Sequence, residues 1–228
     1  DVTEIMKRED VKIDIFKKLI KNGSIVRAIP APGSSSKPRS FFDELNNWAK
    51  EEGAKGLGYI IFEKDKDKLI GKGPIAKFFS PEAINELIKI CSIKEKDSLF
   101  FSCDVKNKVE KISGLARQKL GKDLKLIDNN RFEFCWVVDF PMYKYNEEEK
   151  KIDFSHNPFS MPQIDIKEFD KTDPLNILAY QYDLVCNGYE ISSGAIRNHI
   201  PALMYKVFSK VGYSKKDVDN KFEGMIKA

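Results

Sequence analysis

Four side chains in the last third of the sequence have the types and spacing to do chemistry. Glu190, Ser193 and Arg197 lie in N-G-Y-E-I-S-S-G-A-I-R-N-H (187–199), which follows the apolar run Y-D-L-V-C. His156 lies in F-S-H-N-P-F-S-M-P, and His199 is the only other histidine. A charge in an apolar strand is costly unless it is paired or used. The planar fork of arginine suits bidentate recognition of a carboxylate. A carboxylate with a hydroxyl suits Mg²⁺, which takes oxygen ligands shared with nucleotide phosphates. A loop histidine is either a solvated, hydrogen-bonded side chain or a mobile cationic group over a pocket.

The spacing sets a geometric condition. In a regular strand Glu190 and Arg197, seven positions apart, face opposite sides, whereas Ser193 and Arg197 share a face. Glu190 joins them only if the strand bulges. The small residues Ser192, Ser193 and Gly194 are the expected place for that bulge. Two readings stay open: one concave surface bearing an acid, a hydroxyl and a guanidinium, or a structural ion pair between Glu190 and Arg197.

The elements that must position these residues follow from patterning. F-E-F-C-W-V-V-D-F (132–140) is almost wholly apolar and predicts a strand central in a sheet. M-Y-K-Y and I-D-F-S, flanking an acidic turn, predict a hairpin. A loop runs from His156 to about Asp173, and a second long strand is expected over 179–197. Two helices close the chain, one with Pro201 near its first position and one capped by Ser214 with Asp217.

Upstream, residues ~20–120 alternate strand and helix with short links, an α+β pattern with no evident catalytic group. Helices are expected over 11–22, after Ser40 through a capping box with Asp43, after Ser80, and over 109–121 with Gly121 at the end. Strands are expected over 24–29, 57–62 and 98–103. Neither G-K-G-P-I-A-K (71–77) nor G-A-K-G-L-G (53–58) fits a nucleotide-binding glycine fingerprint.

Composition bounds the remainder. With 228 residues the chain holds one large domain or two ordinary ones. A hydrophobic content of 42% supports real cores, and a net charge of +4 with no dense basic stripe allows nucleic-acid binding without arguing for it. The four cysteines form no C-x-x-C pair and read as buried free thiols of a reducing compartment. No signal peptide or apolar run of spanning length is present, so a soluble cytoplasmic protein is expected.

W-V-V-D-F-P-M-Y, F-S-H-N-P-F-S-M-P-Q and A-Y-Q-Y-D-L-V-C-N-G-Y-E-I-S-S-G-A-I-R-N-H resemble the bacterial-type aspartyl-tRNA synthetases, class II enzymes. G-A-K-G-L-G-Y, G-P-I-A-K-F-F and L-G-K-D-L-K-L resemble the domain those enzymes insert into their catalytic domain. The resemblance implies a preceding catalytic segment or linker over 1–20, an inserted α+β domain over 21–125, and part of the class II catalytic domain over 126–228. It implies formation of aspartyl-adenylate from aspartate and ATP, then transfer to tRNA, by an enzyme that is a homodimer at full length. By the same resemblance Glu190 holds ATP through Mg²⁺, and Arg197 grips the side-chain carboxylate of aspartate. Ser193 lies near metal and substrate, and His156 belongs to a loop that closes on aspartate. Asn157 stands where many bacterial relatives carry a second histidine, so a role that needs a second imidazole does not carry over by the resemblance. The family's other ATP-binding motifs and its anticodon-binding domain have no counterpart in these residues. The chain is therefore expected to be an interior fragment that forms no adenylate alone. The alternative is a non-catalytic module whose α+β part binds tRNA or a protein.

Overall fold

The run S-L-F-F-S-C-D (98–104) forms a strand buried at every position. A strand covered on both faces belongs in the middle of a sheet, and the computed structural model, which describes residues 1–227, places it there. The chain divides into two compact units, 1–128 and 129 onward.

In the first unit the order is α1 (Thr3–Lys7), α2 (Asp14–Lys21), β1 (Ile25–Ala31), α3 (Arg39–Glu51), β2 (Gly58–Asp65), β3 (Lys68–Lys72), α4 (Pro81–Ile90), β4 (Ser98–Asp104) and α5 (Lys106–Asp123). The strands form an antiparallel sheet in the order β1-β4-β2-β3. Alternate residues supply two cores. Val26, Ile60, Phe62, Leu99 and Phe101 pack against α1, α2 and α4, while Ile29, Phe100 and Ala31 pack against α3 and α5. Phe100 and Phe101 are fully buried on opposite faces, each contributing about 1.5–3 kcal/mol.

Local signals explain most of the helix ends. Ser80 caps α4, its Oγ accepting from the Ala83 N–H at 3.0 Å, with Pro81 in the first turn. The capping box expected at Ser40 does not form. Pro38 occupies the N-cap, so Ser40 is already inside the helix, and Asp43 instead pairs with Arg39 at 3.4 Å. The expected helix over 11–22 shortens to 14–21, because Val11 bridges to Phe79. α5 runs past Gly121 to Asp123, and the Gly121 carbonyl accepts from Leu126 N–H at 2.9 Å as the chain turns back. Residues 1–20 pack into this unit, with Val2, Ile5, Met6, Val11 and Ile13 in one of its cores.

The second unit contains β5 (Phe134–Pro141), β6 (Tyr143–Asn146), β7 (Lys151–Phe154), β8 (Leu178–Cys186), β9 (Tyr189–Ala195), α6 (Pro201–Ser209) and α7 (Lys215–Lys227). β6 and β7 form the expected hairpin. The core gathers around Phe208, whose ring meets Phe154, Phe159, Tyr213 and Phe222 at centroid distances of 5.1–5.7 Å. The Tyr143 hydroxyl donates to the Val207 carbonyl at 2.9 Å, and burial pushes its phenol pKa up. Ser214 and Asp217 cap α7 reciprocally, Ser214 N–H donating at 2.9 Å and Asp217 N–H at 3.2 Å. Both units thus mix helices with antiparallel sheet, the α+β class expected.

Two strand assignments change. The stretch 179–197 is a hairpin, β8 and β9, and not one long strand. Asn187 and Gly188 both adopt positive φ, 50° and 86°, the backbone of the two-residue turn that Asn-Gly favours. β5, expected to be central, is the edge of the three-stranded sheet β5-β8-β9, with β8 in the middle. Phe134, Trp136, Val137 and Val138 are exposed, covering both faces of the strand. All four cysteines are free, but only Cys103 is buried and Cys135 is exposed.

Candidate active site

The β8–β9 ladder decides which side chains meet. Val185 pairs with Glu190, Leu184 with Ser192, Asp183 with Ser193 and Gln181 with Ala195. Ile191 has no partner and is the bulge. It lies one residue before the Ser192–Gly194 stretch where the small residues suggest it. A single unmatched residue reverses the alternation beyond it. Glu190 and Ser193 therefore come to one face, with Asp183 and Gln181.

A second irregularity shapes the same face from the other side. Along β5 and β8 the pairing shifts between Val138 and Phe140, leaving Asp139 unmatched at a φ of +59°. Left-handed backbone is unusual outside glycine, though Asn and Asp adopt it more readily than most residues. The Asp139 carboxylate is held by Gln163, whose Nε2 donates at 2.7 Å. The shift brings Phe140 to the face of Val137 and Asp183. There its ring meets His156 edge-on, at a centroid distance of 4.9 Å.

A cleft of about 440 Å³ opens on this face. It is lined by all four candidate residues, His156, Glu190, Ser193 and Arg197, together with Asp183, Gln181 and Phe140. Arg197 follows β9, bridged to Ser160, and its guanidinium lies 5.9 Å from the Phe159 ring centroid. Among the described residues no ion pair joins Glu190 to Arg197. The structural ion pair that spacing left open is absent, and each charge faces the cleft on its own. A larger hollow, about 570 Å³, lies in the first unit around Val2, Ile5, Ile20 and Ile90 and contains none of the four.

Asp183 is not singled out by motif spacing, although a carboxylate inside the apolar run Y-D-L-V-C is the same signal that marks Glu190. Asp183 stands directly opposite Ser193 and is a diagonal neighbour of Glu190. The cleft thus has an acidic side, Asp183 and Glu190, and a basic side, Arg197. Among the described residues no cluster of three or more His, Cys, Asp or Glu side chains could hold a metal ion. Two carboxylates and a hydroxyl fit Mg²⁺, which completes its shell with water and substrate phosphate. Such a cleft can hold a molecule with a carboxylate at one end beside a metal–phosphate group at the other.

Comparison with known proteins places the chain in a family. Residues 14–228 match the family of tRNA synthetases class II (D, K and N), and the chain belongs to it. The chain is 58% identical over its whole length to an aspartate–tRNA(Asp/Asn) ligase of Pelagibacter ubique. It is 52% identical to proteins of the same name from Beijerinckia indica and from Wolbachia pipientis. It spans about 38% of the length of the first two and 37% of the third.

Proposed function

We propose that this chain carries part of the active site of an aspartate–tRNA ligase, which activates aspartate with ATP and passes it to tRNA. The observation that supports the reading most is the placement of Glu190, Ser193 and Arg197 on one cleft face without an ion pair between the two charges. In this reading Arg197 binds the side-chain carboxylate of aspartate through its guanidinium fork. His156, carried on the loop and set against Phe140, lies over the same substrate. Ser193 lies near both metal and substrate in this reading. Glu190 and Asp183 face the nucleotide, and with Ser193 they are the groups that would hold Mg²⁺. The ion would neutralise phosphate charge as it develops.

Positioning carries the chemistry. The α-carboxylate of aspartate forms the new bond to the α-phosphorus. The bond from that phosphorus to the bridging oxygen breaks, and pyrophosphate leaves with the electron pair. No side chain here forms a covalent intermediate. The adenylate is then attacked by a hydroxyl of the terminal ribose of tRNA, and AMP is released. We extend to this protein the dual Asp and Asn tRNA scope in the relatives' names. We assign 21–125 to the inserted domain and 126–228 to the catalytic domain. The full-length protein is read as a cytoplasmic homodimer. No helix among the described residues is long and apolar enough to cross a membrane.

Aspartate-dependent exchange of pyrophosphate into ATP by the full-length protein tests the reading. Exchange with aspartate and none with lysine or asparagine is expected. Exchange that ignores aspartate would refute it.

A further inference from the structure

The loop that carries His156 is anchored unevenly. From Phe159 onward the backbone is bonded on both sides. Asn198 N–H donates to the Phe159 carbonyl, and Met161 N–H to the Ile196 carbonyl, both at 2.8 Å. Tyr180 N–H donates to the Met161 carbonyl at 2.9 Å, and Gln163 N–H to the Leu178 carbonyl at 2.8 Å. Between the end of β7 and this anchored stretch lies a short arc, His156-Asn157-Pro158. Asn157 Oδ1 accepts from Phe159 N–H at 3.0 Å, a bond internal to the loop. The Asn157 carbonyl accepts from Ser160 N–H at 3.3 Å, also internal. Among the described residues a single side-chain hydrogen bond ties the arc to the sheet. Gln181 Nε2 donates to the Asn157 carbonyl at 3.0 Å.

Gln181 is suited to that task. It sits on β8 in the register of Ala195, two positions before Asp183 and on the same face of the cleft. It is 8% exposed. A leucine or methionine would fill the same space, so what glutamine adds is the donor. A buried amide whose donor is committed to a carbonyl is held in one orientation.

We propose that Gln181 is a positioning residue, whose amide latches the His156–Pro158 arc over the cleft and so sets where His156 meets the ligand. The inference rests on the reading of the cleft as an aspartate site. When this bond breaks the arc keeps only the edge-on contact of the His156 ring with Phe140, while the bonds that anchor the stretch from Phe159 onward stay in place.

The test uses the full chain with Gln181→Met, which keeps length and apolar volume but removes the donor. Gln181→Glu places an acceptor against the carbonyl instead. Amide exchange at Phe159 and Ser160, whose N–H groups donate to Asn157, should speed up about tenfold in Gln181→Met, on the scale of one hydrogen bond, and more in Gln181→Glu. Exchange in the β8–β9 ladder should stay unchanged. In the full-length protein KM for aspartate should rise several-fold with KM for ATP unmoved. Unchanged exchange in the arc, or equal acceleration in β8 and β9, would overturn the latch. Loosened exchange with an unmoved aspartate KM would overturn its positioning role. Failure of the aspartate reading itself is seen separately, as an Arg197→Ala variant that retains its aspartate KM.

Discussion

Glu190 pairs with Val185 across the β8–β9 ladder, while Ser192 pairs with Leu184 and Ile191 between them is left out. That one unmatched residue turns a carboxylate that regular alternation would send to the opposite face toward Ser193, Asp183 and the cleft. The acidic side of the site therefore depends on a local backbone irregularity as much as on residue identity.

Asp183 is the second carboxylate of that side, so removing its charge should weaken metal use. In Asp183→Asn the Mg²⁺ concentration for half-maximal pyrophosphate exchange should rise about tenfold or more, in keeping with the effect of disturbing a metal site. KM for aspartate should change little. A titration of exchange rate against Mg²⁺ that overlays the unmodified protein would remove Asp183 from the metal's surroundings.

Gly194 is opposite Tyr182 in the ladder, and a Cβ there would lie 2.5 Å from the Tyr182 ring. The ring is 38% exposed and can swing outward, so the cost is that of modest overpacking, about 1–2 kcal/mol. The ring also contacts Trp136 edge-on at 5.9 Å. Gly194→Ala should lower stability by that amount and change the Trp136 emission. A variant with unchanged emission and unfolding midpoint would show that the contact is easily relieved.

How much of this was legible in the sequence depends on range. The caps at Ser80 and Ser214 are local and were readable, because donor and acceptor lie three residues apart. The identity of the neighbours of β5 is not local. An apolar run on both faces reads as central, yet Phe134 and Trp136 stand exposed on an edge. The Asn187–Gly188 turn carried a clear signal that the long apolar alternation around it concealed. For the site, the residue types and the need for a bulge were readable, but its position was not. Small side chains at 192–194 permit a bulge, whereas the pairing partners on β8 fix it at Ile191. Asp183 carries a readable signal, a carboxylate in an apolar run, but its place beside Ser193 and Glu190 comes from strand register, and Gln181 is hidden because its importance comes from a loop contact.

Stability in acid should reveal the network that ties α1 to α4. Asp10 accepts from Arg8 Nε at 2.8 Å, Arg8 Nη2 at 2.7 Å and Ser80 Oγ at 2.5 Å. The Arg8 guanidinium and then the Ser80 hydroxyl hold its carboxyl well below the usual range. A depressed folded-state pKa contributes stability that is complete above the unfolded value, about 3.9, and is lost as pH falls toward the folded one. Asp10→Asn should thus be less stable than the unmodified chain at pH 6, with the gap narrowing below about pH 4. Urea unfolding at pH 6, 4.5 and 3.5 measures this. A gap that stays constant over that range would show that the pair contributes nothing through its charge.

The claim that Arg197 and Glu190 grip different parts of the substrates is tested most directly by pyrophosphate exchange kinetics of the two alanine variants in the full-length protein. Arg197→Ala should raise KM for aspartate about 10–100-fold, the worth of a charged hydrogen-bonded contact, and leave KM for ATP nearly unchanged. Glu190→Ala should do the reverse, raising KM for ATP or lowering kcat at saturating aspartate. If both variants form the adenylate as well as the unmodified protein, or if the two lose the same parameter, the cleft is not the divided site described.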